Sequence, residues 1–165
     1  MEQKEFENMF QETFRQYADA IFRFCFVKVN NQALAEDMTQ EVFMRYWQYL
    51  RNGKEVTNAR ALLYTIANNL AKDWYRKKKA IPLEENNDHE AALHSHENSP
   101  ETMARYSELL STVEDLSEID RQLILLRYVE GFEPKDIATL YNQSPNAISV
   151  RLNRAVERLK KKLHI

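Results

Sequence analysis

Apolar residues recur along much of this chain at spacings of three and four. In "FENMFQETFRQYADAIFRFCFVKV", Phe6, Phe10, Phe14, Tyr17, Ile21 and Phe24 keep that spacing, which predicts one long amphipathic helix. "NNQALAEDMTQEVFMRYWQYL" predicts a second, with Asn31 placed to cap its start. "RNGKEVTN" is a polar loop. In "ARALLYTIANNLAKDWYRKKK", Leu63, Ile66, Leu70 and Trp74 fall on one side of a third helix. Asn69, Lys72, Asp73 and Arg76 form a polar stripe opposite or beside them.

The periodicity then stops. "IPLEENNDHEAALHSHENSPE" has no helical repeat and is rich in Asn, Glu and His, so residues 80–104 are expected to be an acidic, flexible interdomain linker. Beyond it a helix is expected near "ARYSELLSTVEDL". In "SEIDRQLILLRYVEG", Ser117 with Asp120 makes a capping-box-like start and Gly131 a C-terminal cap. "EPKDIATLY" is a short helix with Pro134 in its first turn. "NQS" is a tight turn in which Asn142 can take the left-handed conformation. Ser144 caps the last helix and Pro145 takes its first position. The fold class is therefore all-α. Two small helical domains, 1–79 and 105–165, flank the linker, and the second carries a helix-turn-helix. Each lies near the lower size limit for a self-sufficient core, so docking on something larger is expected.

On a wheel of about 100° per residue, Ile148, Leu152, Ala155 and Leu159 share one side of the last helix. They are expected to pack against Ile137, Leu140 and the preceding helix. Asn146, Val150, Asn153 and Arg154 lie opposite, with Ser149 and Arg151 at the boundary. Asn and Arg can pair with base edges, an apolar side chain can meet a thymine methyl, and nearby cations can hold phosphates. The tight turn and the cluster Arg151, Arg154, Arg158 and Lys160 to Lys162 favour DNA over a plain solvated face.

Composition agrees with the helices. Only 2 Gly and 4 Pro occur in 165 residues, of which 44% are hydrophobic and 29% charged. No apolar run approaches a membrane span and "MEQKEFENMF" is no signal peptide, so a cytoplasmic protein without membrane insertion is expected. A single cysteine, Cys25, excludes an internal disulfide, and its apolar surroundings suit a buried small hydrophobe. The net charge of −2 conceals blocks of opposite sign: "WYRKKK" and "RLKKKL" are basic, and the segment between them is acidic.

The stretch "DRQLILLRYVEGFEPKDIATLYNQSPNAISVRLNRAVERLKKKL" resembles the promoter-reading C-terminal domain of bacterial sigma factors of the extracytoplasmic-function (ECF) type. The resemblance rests on Arg121, Gly131, Ile137-Ala138, Ser144 and Arg151-Leu152-Asn153-Arg154-Ala155. Independently, "AEDMTQEVFMRYW" and "ARALLYTIANNLAKDWYRKKK" resemble two segments of the family's N-terminal domain. Three departures stand out in the helix-turn-helix: Ser149 where a basic residue is frequent, Asn142 where Gly is usual, and Asn146 in place of a small residue.

This resemblance implies a sigma factor that binds core RNA polymerase, reads the −10 and −35 promoter elements and helps melt DNA. The core-binding segment would be Asp37, Gln40, Glu41 and Phe43, carboxylates with an aromatic anchor facing the basic clamp helices; the flap is the second polymerase contact. Asn58, Arg60, Asn68, Asn69, Asp73 and Arg76 would read and capture −10 bases, with Lys77, Lys78 and Lys79 on phosphates. Trp74 and Tyr75 could stack on bases, although aromatics at this spacing more often belong to a core. Ser144, Asn146, Ser149, Val150, Arg151, Asn153, Arg154 and Arg158 would contact the −35 element. The linker would thread polymerase channels as a phosphate mimic, and tethering makes binding bivalent. An anti-sigma factor is an implied partner.

Rival readings are weaker. A response regulator needs an α/β receiver, and no strand–helix alternation precedes the helix-turn-helix. No Gly-rich phosphate loop, nucleophile motif or catalytic carboxylate pair marks an enzyme, and no cofactor is expected. His89, His94 and His96 fit no standard zinc spacing.

Overall fold

A computed structural model describes residues 2–80 and 99–165. The chain divides into two compact units, one holding the described residues up to 80 and the other those from 99 onward. All regular structure among the described residues is helical. Residues 81–98, most of the expected linker with its three histidines, lie outside the described residues.

In the first unit α1 spans Gln3–Val29, α2 Gln32–Arg51 and α3 Ala59–Ala80. Each start is fixed by a local side chain. Glu2 and Glu5 form a reciprocal capping box, Asn31 Oδ1 accepts from Leu34 N at 3.0 Å, and Asn58 Oδ1 accepts from Ala61 N at 3.0 Å. Asn30 closes α1 in the left-handed conformation at φ 47°. The two halves of α1 are buried differently. Phe10 and Phe14 are half-buried and meet Phe43, Tyr46 and Trp47 of α2. From Ala18 onward α1 is buried on several faces, because α3 also packs on it: Phe24 meets Tyr64 edge-on at 5.1 Å, and Tyr75 donates to the Lys28 carbonyl. The three helices thus enclose one core of Ile21, Phe22, Phe24, Val42, Tyr46, Leu63 and Tyr64.

In the second unit α4 spans Pro100–Thr112, α5 Glu118–Ile124, α6 Pro134–Tyr141 and α7 Pro145–Leu163. Helix α4 begins at Pro100, earlier than the expected start near Ala104, so the last residues of the 80–104 block are helical. The cause is the pair Ser99-Pro100: Ser99 Oγ accepts from Thr102 N at 3.2 Å and Pro100 takes the first turn. Ser144-Pro145 starts α7 in the same way, Ser144 Oγ accepting from Ala147 N at 3.1 Å. Helix α5 runs into a wider π turn over Leu125–Val129, where Glu130 N bonds Leu125 O at 3.0 Å, and Gly131 at φ 74° ends it. Leu123, Leu126, Phe132, Ile137, Ile148, Leu152 and Ala155 form the core. Helix α4 contributes no buried residue.

Candidate nucleic-acid interfaces and docking stripe

On α2 the positions 37, 40, 41 and 44 follow one another at helical spacing and make a continuous stripe. Asp37, Gln40 and Glu41 are half-buried, Glu41 being held by Arg45 at 3.0 Å, and Met44 is 57% exposed. Phe43 lies about 100° round the helix from Met44, on the side packed against α1, and is only 3% exposed. Its ring lies 4.9 Å from Phe14 and 6.3 Å from Phe10, so it packs between the helices beneath the stripe rather than standing out from the surface. Beside the stripe, α1 and α2 border an apolar groove of about 620 Å³ lined by Phe10, Phe14, Phe43, Met44 and Trp47, with Glu7, Gln11 and Gln40 at its rim.

Helix α3 carries the second surface. Asn69 and Lys72 are exposed and Asp73 is half-buried, with Arg76 3.7 Å from Asp73; Lys77, Lys78 and Lys79 extend the same basic end. Arg60 lies half-buried in the first turn. Asn68 does not join them. It is 2% exposed, turned about 100° from Asn69 into the core, and so is corrected from a base-reading residue to a buried amide. Asn58 also has a prior task, since its Oδ1 caps α3; only the rest of its amide can meet a ligand. Trp74 and Tyr75 pack on each other at 4.8 Å, and Lys78 Nζ sits 4.9 Å from the Trp74 ring centroid.

The last helix presents the third. Ile148, Leu152 and Ala155 are buried, while Asn146, Val150, Asn153 and Arg154 are exposed on the opposite side and Ser149 is half-buried. Ser144 spends its hydroxyl on the cap. Arg151 and Arg158 are turned sideways: Arg151 Nε donates to Asp120 Oδ1 at 2.8 Å, and Arg158 Nη1 donates to Asp120 Oδ2 at 3.4 Å. The helix-turn-helix beneath is pinned by Tyr141 Oη and Gln122 Oε1, 2.6 Å apart. Burial raises the Tyr141 phenol well above its ordinary value, so it stays a protonated donor even in alkali that would ionise an exposed tyrosine.

Two family comparisons match these two units in order. Residues 13–81 match sigma-70 region 2, and residues 106–159 match sigma-70 region 4. The chain belongs to the sigma-70 family, ECF type. Among ECF relatives, it is 29% identical over 157 residues to the ECF RNA polymerase sigma factor BldN of Streptomyces coelicolor, covering 91% of this chain and 58% of BldN. It is 28% identical over 159 residues to the RNA polymerase sigma factor CarQ of Myxococcus xanthus, covering 95% of this chain and 90% of CarQ. The sigma factor RpoE of Bartonella quintana, crystallised with the anti-sigma factor NepR, superposes with a TM-score of 0.70 at 21% identity, covering 94% of this chain and 97% of that one. That likeness describes the fold.

In this ECF chain the sequence reading missed three features. Met44 and the groove beside it carry no distinct sequence signal, because a Met in an amphipathic helix looks like one more core position. Arg127 was passed over too; it donates to the Phe132 carbonyl at 3.0 Å and lies 3.5 Å from Glu133, which fixes the entry to α6. Asp120 was read only as half of a cap. Its backbone N–H does bond Ser117 Oγ at 3.2 Å, but its carboxylate turns to α7. No local signal marks that choice.

Proposed function

We propose that this chain is the promoter-selecting subunit of a bacterial RNA polymerase. In this reading Asp37, Gln40 and Glu41 dock α2 on the basic clamp helices, and Met44 supplies the apolar anchor that the buried Phe43 does not. Helix α3 reads and holds the opened −10 strand. Asn69 and Arg76 meet bases, Arg60 and Asp73 border them, and Lys77 and Lys78 neutralise phosphates. Helix α7 reads the −35 duplex through Asn146, Ser149, Val150, Asn153 and Arg154. The second unit docks on the polymerase flap, and an anti-sigma factor restrains the protein by covering its polymerase-facing surfaces. The chain itself catalyses no reaction, needs no cofactor and works in the cytoplasm.

The observation that carries this reading is the pairing of two DNA-suited faces, on α3 and α7, on separate helical units of one chain. Purified core polymerase with a pool of genomic fragments tests it. Start sites that share paired upstream elements and appear only with the chain present are expected. Specific duplex binding by the chain alone, with no gain in initiation, overturns it in favour of a conventional regulator.

A further inference from the structure

The buried ion pair on α7 sorts the arginines of the last helix into two kinds. Asp120, 4% exposed, offers one carboxylate to two guanidinium groups, from Arg151 and Arg158. Those arginines are seven residues apart, so they lie about 20° apart round the helix axis and about 10 Å apart along it. Both heads converge on α5, and both keep solvent-facing donors, since their side chains are 42% and 65% exposed. The outward set of Asn146, Val150, Asn153 and Arg154 is centred roughly 100° further round. Arg154 forms none of the ion pairs seen among the described residues. A helix seated in the major groove turns its outward face to base edges and its flanks to the phosphate walls.

We propose that Asp120 is a specificity-determining positioning residue, which holds Arg151 and Arg158 at the flank of α7 as phosphate contacts and leaves base reading to Asn146, Val150, Asn153 and Arg154. Arginine pairs readily with guanine from many approaches, so an unheld Arg151 at the edge of the reading face would compete with Asn153 and Arg154 for the same bases. The carboxylate removes that competition. Two cations on one anion also leave a net positive flank, which phosphates favour.

This rests on the reading of α7 as the −35 helix. The test uses holoenzyme made with the full chain, and a duplex promoter library randomised at the upstream element. Arg151→Ala should weaken binding by a similar factor on every sequence and lower the salt slope by about 1. Arg154→Ala should erase preference at one base pair. Asp120→Asn should cut discrimination between selected and unselected sequences about tenfold, while binding to unselected DNA holds or rises. Asp120→Asn with Arg151→Ala should restore discrimination, which a merely loosened fold would not do. If Asp120→Asn fails to fold, the Arg151→Ala profile decides alone. A base-specific change on Arg151→Ala, or equal loss on all sequences with Asp120→Asn in a folded domain, overturns the proposal. If the wild type shows no upstream preference, or Arg154→Ala leaves it unchanged, the α7 reading fails and takes the proposal with it.

Discussion

On the proposed function the two units face the same demand, to hold a polar helix face at a fixed angle for a nucleic acid, and they are built to meet it by different means. In the first, α3 is held by large apolar and aromatic side chains. Leu63, Tyr64 and Ala67 pack into the core shared with Phe24 and Tyr46, and Tyr75 reaches the α1 backbone. In the second, the core is smaller, α4 has half-buried residues but no fully buried one, and α7 is held partly by polar contacts, Arg151 and Arg158 on Asp120 and Lys162 on Asp115 at 3.0 Å. Packing fixes an angle without choosing side-chain directions on the outer face. A buried carboxylate does both, but only while its charge is matched. The first unit is therefore expected to be the sturdier, and the second, on the proposal above, the more sharply tuned.

That contrast is easiest to break in the cores. Leu126 is fully buried where α5 widens into the π turn, and Leu126→Ala should cost about 2–5 kcal/mol. For a unit this small that approaches the whole stability. Hydrogen exchange should show protection lost across α5 to α7 and kept across α1 to α3. Ile21→Ala, with the same chemistry in the larger core, should lower the unfolding midpoint and leave that unit folded. Equal loss of protection in both units would remove the contrast.

The next prediction sharpens it on DNA. Arg154→Ala should cost about 1–3 kcal/mol on the preferred −35 sequence and much less on others. Lys77→Ala on α3 should weaken binding evenly and reduce the salt slope by about 1. Titrations of holoenzyme on matched and scrambled promoters at several salt concentrations separate the two. A sequence-selective loss for Lys77→Ala would place base reading where only phosphate contact is expected.

Much of this was legible in the sequence where one helix supplies its own evidence. The faces of α7 followed from periodicity, and its start from Ser144-Pro145; both stand in the structure. The identical Ser99-Pro100 signal was masked by the acidic composition around it, which favoured linker over helix. Neighbours were harder. Asn68 and Asn69 differ by one residue and about 100°, and only the packing of α3 on its neighbours decides which is buried. Phe43 against Met44 is the same problem on α2. Asp120 depends on residues more than 30 positions away, a separation that no local pattern encodes.

A smaller effect separates the turn of the helix-turn-helix from its helices. Asn142 sits at φ 54°, where Asn is tolerated and Gly is free of strain. Asn142→Gly should therefore change stability by less than about 1 kcal/mol, the relief of strain being offset by a more flexible unfolded chain. Thermal unfolding of the variant should give nearly the wild-type midpoint. A large drop would mean that the Asn142 side chain, not its backbone conformation, holds the turn.

The smallest effect at neutral pH is confined to the first unit and grows with alkali. Cys25 is fully buried in α1, and burial pushes its thiol up from 9.0 to about 12, Thr39 and Lys28 only partly opposing the shift. Below pH 9 both folded and unfolded chains carry the protonated thiol, and the shift has no consequence. Between pH 9 and 12 the unfolded chain loses that proton while the folded one keeps it, so stability falls as pH rises, by at most about 1.4 kcal/mol per unit. Cys25→Ala should remove this part of the slope while lowering stability at every pH through the lost packing. Denaturant titrations of both forms between pH 8 and 10.5 should give lines that converge as pH rises; parallel lines would mean that the thiol ionises in the folded unit as easily as in the open chain.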